Sequence, residues 1–154
     1  MSIAPDEERE NELKFTLAMF RVERAQRLID AEPARHWTVG EMAASCGLSR
    51  HYFSRLFNRT ARCPLQAYVN CRRIEYSKKI LIATDISIKE AAVRCGFSTM
   101  SHFCRTFKAI EFTTPTQFRM GQLSRSPAYE HNGALNNTNR TRIAIDAVSN
   151  VGHN

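Results

Sequence analysis

No stretch of this chain approaches the roughly 20 consecutive apolar residues that a membrane-spanning helix needs. A soluble protein with no membrane partner is therefore expected. Met1 to Glu12 is acidic and polar where a secretion signal would be basic and then apolar, so a cytoplasmic location is expected. Cysteines are few and odd in number: Cys46, Cys63, Cys71, Cys95 and Cys104, with no C-x-x-C pair among them. That pattern offers neither a disulfide framework nor a standard zinc spacing, and reduced thiols without metal or cofactor are expected. His102 and Cys104 near Cys95 make only a weak metal hint. At 154 residues and 43% hydrophobic, the chain suffices for one modest core or two small ones sharing a helix, and is too short for a larger catalytic architecture.

What is present is positive charge in one region. The formal net charge is +7. Residues 1–36 hold 6 basic and 8 acidic side chains, residues 37–120 hold 13 and 5, and residues 121–154 hold 3 and 2. The middle segment carries the whole excess, as a surface for a polyanion would require, although a solvated basic surface has the same composition.

The same middle segment contains a duplication. Thr38-Val39-Gly40-Glu41-Met42-Ala43 leads to Cys46-Gly47-Leu48-Ser49, and 49 positions on Ser87-Ile88-Lys89-Glu90-Ala91-Ala92 leads to Cys95-Gly96-Phe97-Ser98. Phe53-Ser54-Arg55-Leu56-Phe57 then recurs as Phe103-Cys104-Arg105-Thr106-Phe107, now 50 apart because the second turn is one residue longer. Thr38 with Glu41 and Ser87 with Glu90 have the spacing of capping boxes; Thr114 with Gln117, followed by Pro115, marks a third helix start. Gly47 and Gly96 suit the left-handed turn between two helices, while Ala43 and Ala92 let each pair cross closely. Cys46 and Cys95, at the ends of the first helices, read as small packing residues.

Around the duplication, Pro5 to about Glu32 reads as helix. Leu13, Leu17, Phe20, Arg24 and Leu28 recur every three or four residues, Pro33 stops the pattern, and Val22, Ala25, Leu28 and Ile29 are expected to cover the first repeat. Pro64 to Ala83 has no helix breaker. Leu65, Val69, Ile74, Ser77 and Leu81 form an inner stripe there, with Arg72, Arg73, Lys78 and Lys79 expected in water. About 19 residues at about 1.5 Å each span roughly 28 Å, short of the roughly 34 Å between successive major-groove faces of straight DNA. Ser124 to Asn154 is rich in Asn and Ser and is expected to be mostly disordered, with weak local structure at Ile143 to Val148.

These residues resemble the DNA-binding domain of AraC/XylS family transcription regulators, from about Val22 to Arg119. The most specific stretch is Ile88 to Ala92, Cys95-Gly96-Phe97-Ser98, Ser101-His102-Phe103, Arg105, Phe107-Lys108, Thr114-Pro115 and Phe118-Arg119; Tyr68-Val69, Arg72, Glu75 and Leu81 match the linker helix. The resemblance implies an all-α, homeodomain-like fold of about seven helices, two helix-turn-helix subdomains joined by a long linker helix. The expected division is an N-terminal helical extension over 1–21, a first subdomain over 22–63, a linker helix over 64–84, a second subdomain over 85–120 and a tail over 121–154. Two departures stand out. Phe112 holds the place of a usual glycine, and the effector domain that most members carry is not visible, so a stand-alone form, or the DNA-binding half of a longer ancestor, is expected.

Phenylalanines four apart must share a helical face, so Phe53 with Phe57 and Phe103 with Phe107 point inward and leave the opposite faces free. The family's base-contacting positions, carried over by motif, are His51, Ser54 and Arg55 in the first copy and Met100, Ser101, Cys104 and Arg105 in the second. Arg55 and Arg105 can each offer a bidentate fork to guanine, with phosphate or a neighbouring carboxylate as the competing partner. Met100 and Cys104 suit a thymine methyl. Phosphates are expected at helix N-termini near Thr38, Ser49, Ser87 and Ser98, and at Arg50, Arg59, Lys89 and Lys108. Arg72 with Glu75 reads as a pair within the linker.

The expected function is a sequence-specific transcription regulator, an activator by the family's commoner outcome. The expected partners are double-stranded DNA, RNA polymerase and a protein co-regulator, with one copy on an asymmetric site. The alternative is a helical protein-interaction module, or a partner-dependent co-regulator, with little DNA affinity of its own. An enzyme is not expected: alkyl transfer to cysteine, known from repair regulators that share this domain, needs a four-cysteine zinc module that is missing.

Overall fold

The computed structural model describes residues 5–123, and the expectations for the tail from Ser124 onward, like those for residues 1–4, lie outside it. Among the described residues there are seven helices and no strand: α1 (Pro5–Ala31), α2 (Val39–Ser45), α3 (Arg50–Ala61), α4 (Leu65–Ala83), α5 (Ile88–Arg94), α6 (Met100–Glu111) and α7 (Pro115–Leu123). They gather into two compact units. One is built on α1, α2 and α3 with the first residues of α4. The other takes the rest of α4 with α5, α6 and α7, together with the segment Pro33–His36.

In the first unit α3 packs on both α1 and α2. Its core consists of Ala18, Val22, Ala25 and Ile29 from α1, Met42 and Ala43 from α2, and Phe53, Leu56 and Phe57 from α3, all buried. Leu28 was expected in that inner row and is 44% exposed. At 100° per residue it lies about 90° around α1 from the row's centre, so it falls on the flank.

The second unit closes around Ile74, Leu81, Ala91, Ala92, Cys95, Phe97, Phe103 and Phe107, with Ile86, Ile88, Ile110 and Phe118 packed against them. Its aromatic rings form a continuous chain: Phe97 to Phe103 at 5.2 Å, Phe103 to Phe107 at 5.7 Å and Phe107 to Phe118 at 5.5 Å between centroids. Tilted and edge-on rings at this spacing favour one another beyond the burial of their area. Arg119 of α7 donates to the carbonyls of Leu81 (3.3 Å) and Ile86 (2.7 Å), which fixes α7 to the end of α4.

Both inter-helix turns close by the same hydrogen bonds. The amide of Gly47 donates to Ala44 and that of Leu48 to Ala43; the amide of Gly96 donates to Val93 and that of Phe97 to Ala92. This is the Schellman closure, which needs a left-handed residue, and φ is 64° at Gly47 and 82° at Gly96. The two glycines differ in what surrounds them. A methyl group on Gly96 would fall 2.2 Å from the Ala34 carbonyl oxygen, whereas one on Gly47 would meet nothing nearer than the Arg21 guanidinium at 3.6 Å.

The close approach at Gly96 exists because the Pro33–His36 segment lies against that turn, held by Arg73. The Arg73 guanidinium donates to the carbonyls of Pro33 and Arg35, each at 3.0 Å, and sits over the Phe97 ring. Arg73 was expected in water and is 7% exposed; its charge is compensated by those carbonyls, as a buried cation requires. Lys78, also expected in water, is half-buried between Glu75 (3.3 Å) and Glu111 (3.0 Å). The inner stripe Leu65, Val69, Ile74, Ser77 and Leu81 is buried throughout.

Helices α3 and α6 both end in a left-handed residue that is not glycine: Arg62 with φ 60° and Phe112 with φ 59°. Phe112 is 72% exposed, so its ring recovers little of the strain by burial. A left-handed L-residue costs about 1–2 kcal/mol, and a glycine there is offset in part by its freer unfolded chain. Phe112→Gly is therefore expected to raise stability by about 0.5–1 kcal/mol in urea denaturation.

Candidate nucleic-acid interface

Each unit presents a short helix, a tight turn and a 12-residue helix: α2 then α3, and α5 then α6. The starts of all four are set by hydroxyl caps. Thr38 Oγ1 accepts from the Glu41 amide at 3.2 Å while the Glu41 carboxylate accepts from the Thr38 amide at 3.2 Å, a complete capping box. Ser87 Oγ accepts from the Glu90 amide at 3.1 Å, but the second box is only half made, because the Glu90 carboxylate takes Arg94 at 2.7 Å instead of reaching back. At α7, Thr114 and Gln117 exchange both bonds, each at 3.2 Å. Ser49 starts α3 by accepting from Tyr52 at 3.2 Å, and Thr99 starts α6 by accepting from His102 at 3.1 Å.

Thr99, one residue past Ser98, is thus the counterpart of Ser49. Its signal was present in the sequence: the repeat spacing changes from 49 to 50 across the second turn, and 50 positions after Ser49 is Thr99.

Helices α3 and α6 are sharply two-faced. Phe53, Leu56 and Phe57 are buried in one, Phe103, Thr106 and Phe107 in the other. On the outer side of α3, His51 and Arg55 are exposed and Ser54 is half-buried between them. On the outer side of α6, Met100, Ser101 and Arg105 are exposed and Cys104 is half-buried. Each group of expected base-reading residues is therefore gathered on one face of its own helix. His102 lies beside them, edge-on to Phe97 at 5.4 Å, and burial, then the neighbouring Arg105 and Arg73, hold it below the usual histidine range. It is uncharged at neutral pH. Burial pushes the Cys104 thiol up, so it is neutral as well and adds no negative charge to the face.

The other expected phosphate residues are less uniformly placed. Arg50 is exposed at the start of α3, its guanidinium against Gly40, and Lys89 is exposed in the first turn of α5. Lys108 is exposed in the last turn of α6. Arg59, near the end of α3, extends over the Phe15 ring of α1, 5.2 Å from its centroid. In α4, Arg72 stacks on Tyr68 at 5.0 Å and donates to its hydroxyl, while Glu75 accepts from Lys78. Burial pushes the Cys71 and Cys95 thiols up to about 11, and that of Cys46 upward too, so these cysteines are inert packing groups. Among the described residues no three His, Cys, Asp or Glu side chains come together as metal ligands.

Comparison with known proteins gives a consistent result. A family profile described as a helix-turn-helix domain matches residues 42–121, just over half of the chain. The chain is 32% identical over 102 residues to the uncharacterized HTH-type transcriptional regulator YijO of Escherichia coli K12, covering 64% of this chain and 36% of that protein. It is 32% identical over 99 residues to the regulatory protein PocR of Salmonella typhimurium, covering 64% and 33%. It thus spans about a third of the length of these relatives. Among solved structures, a transcriptional regulator from Chromobacterium violaceum, of the AraC-type DNA-binding domain-containing proteins, superposes with a TM-score of 0.63 at 24% identity, over 69% of this chain and 95% of that one. That likeness is one of fold.

Proposed function

The chain belongs to the AraC/XylS family of helix-turn-helix transcription regulators, a family of DNA-binding proteins and not an enzyme class, and on that premise we propose that it regulates transcription by reading an asymmetric DNA site with α3 and α6. The observation that carries this reading is the equivalence of the two helices. Each sets a pair of buried phenylalanines against an exposed arginine at the same register, Arg55 and Arg105.

In this reading α3 and α6 enter successive major grooves. Arg55 and Arg105 take guanine O6 and N7, His51, Ser54 and Ser101 contact neighbouring base edges, and Met100 with the neutral Cys104 contacts a thymine methyl. The amides opening α2, α3, α5 and α6, with Arg50, Arg59, Lys89 and Lys108, hold phosphates and set register without reading sequence. A 19-residue α4 is about 28 Å long, shorter than one helical turn of straight DNA, and the duplex bends to meet both reading helices. The finer reading is a transcriptional activator that touches RNA polymerase or a co-regulator in the cytoplasm.

Selection of bound oligonucleotides from a random pool tests the proposal, and a two-block, non-palindromic consensus with roughly one-turn spacing is expected. Binding to that consensus should weaken steeply with salt, log K falling against log salt with a slope of about −5 to −7 if six to eight phosphates are neutralised. A slope near zero would transfer the chain to the protein-interaction class. A circular-permutation gel shift without mobility change would remove the bend.

A further inference from the structure

Helix α1 is apolar on two sides, and only one is used by the core. Ala18, Val22, Ala25 and Ile29 are buried, while Leu13, Leu17, Phe20 and Leu28 are 69%, 48%, 58% and 44% exposed. These are four of the ten large apolar side chains exposed among the described residues, and they lie in one row along about 22 Å of helix, interrupted by Arg24. A contiguous exposed apolar row marks an interaction surface more often than scattered apolar residues do.

The charges flanking the row identify its occupant. Asp6, Glu7, Glu8, Glu10 and Glu12 crowd the first part of α1 against Arg9 and Lys14, the latter paired with Glu10 at 2.6 Å, whereas Arg21, Arg24 and Arg27 outnumber Glu23 and Asp30 in the second part. The arginine end also borders a groove of about 480 Å³, lined by Arg21, Arg24 and Leu28 of α1 and by Ala44, Ser45 and Gly47 at the end of α2. Arg21 donates to the Cys46 carbonyl at 3.3 Å, so the end of α2 faces the groove with a guanidinium in front of it. A helix that is acidic and apolar fits this half, and the first half of α1 is such a helix.

We propose that the outer face of α1 pairs with α1 of a second copy of the chain, antiparallel, each acidic end lying along the arginine-bearing half of the other. A parallel pair would set the two acidic ends side by side. With four or five large side chains from each copy, the contact reaches on the order of 1,000 Å², the lower limit of specific interfaces, and the dimer is accordingly weak and concentration-dependent. It uses none of the exposed residues named above on α3 or α6.

Sedimentation equilibrium on the full chain, from about 1 to 200 μM, tests this without DNA, so its failure and that of the regulatory reading are separable. The mass is expected to climb from 17.6 kDa toward twice that value as concentration rises. Leu17→Glu with Phe20→Glu, both at exposed positions, should hold the chain monomeric throughout with its helical circular dichroism unchanged. Glu10→Lys with Glu12→Lys should weaken pairing about tenfold, and adding Arg24→Glu and Arg27→Glu should restore it, because opposite charges again face each other. A parent chain monomeric at every concentration overturns the proposal, as does dimerisation equally tight after the first charge reversal. If the chain is monomeric and the Leu17→Glu, Phe20→Glu pair shifts the NMR signals of residues 124–154, the tail covers the row and the second-copy assignment falls.

Discussion

Replacing Gly96 by alanine is expected to destabilise the protein by about 3 kcal/mol, against about 1 kcal/mol for the same change at Gly47. Both glycines are left-handed and both close the same turn, so the conformational penalty of roughly 1 kcal/mol is shared. Only Gly96 adds a steric penalty: the new methyl group would sit 2.2 Å from the Ala34 carbonyl oxygen, a backbone atom that cannot swing aside. At Gly47 the neighbour is the end of a flexible arginine, 3.6 Å away. Thermal melts should separate the variants, with Gly96→Ala lowering Tm by roughly 10 °C and Gly47→Ala by a few degrees. Equal losses would mean that Pro33–His36 does not rest on the second turn in solution.

The second large effect concerns function. Arg55→Ala and Arg105→Ala together are expected to reduce affinity for the selected site by about 10²–10⁴-fold, since a bidentate arginine–guanine contact contributes about 1–3 kcal/mol of discrimination. Binding to scrambled DNA should fall by about tenfold or less, because the helix-end amides and the remaining basic residues still meet phosphate. Fluorescence anisotropy on the two duplexes gives both numbers. If both affinities fall together and the salt slope drops by about one per arginine, the guanidiniums hold phosphate and the reading of bases passes to His51, Ser101 and Met100. Both arginines are exposed, so the folded state should be unaffected.

Much of this architecture is written in short-range patterns. A hydroxyl followed three residues later by a glutamate or glutamine starts a helix through atoms within one turn of each other, which is why Thr38, Ser87 and Thr114 mark the starts of α2, α5 and α7. Phenylalanines four apart define the inner face of α3 and α6, and with it the outer one. Contacts made at a distance leave no such trace. Arg73 looks like any solvated basic residue of a linker helix until the carbonyls of Pro33 and Arg35, 40 and 38 positions earlier, arrive beside it. The row Leu13, Leu17, Phe20 and Leu28 declares a helix by its period, but period alone does not say which of two apolar faces the core will use. Phe112 hides its left-handed turn because the residue that usually signals one is absent. At the candidate interface, sequence indicates which side chains stand outside. Which of them reach a base depends also on the shape of the duplex.

The hydroxyl caps of the reading helices impose a conflict between durability and recognition. Ser49 and Thr99 each satisfy one of the amides that the first turn of a helix leaves without an intrahelical partner. An acidic side chain at either place would anchor the helix more firmly, since it complements the positive end of the dipole. In the proposed DNA complex it would also install a permanent negative charge beside a phosphate. A small neutral hydroxyl meets both demands, so these two positions tolerate less change than their exposure on the surface would suggest.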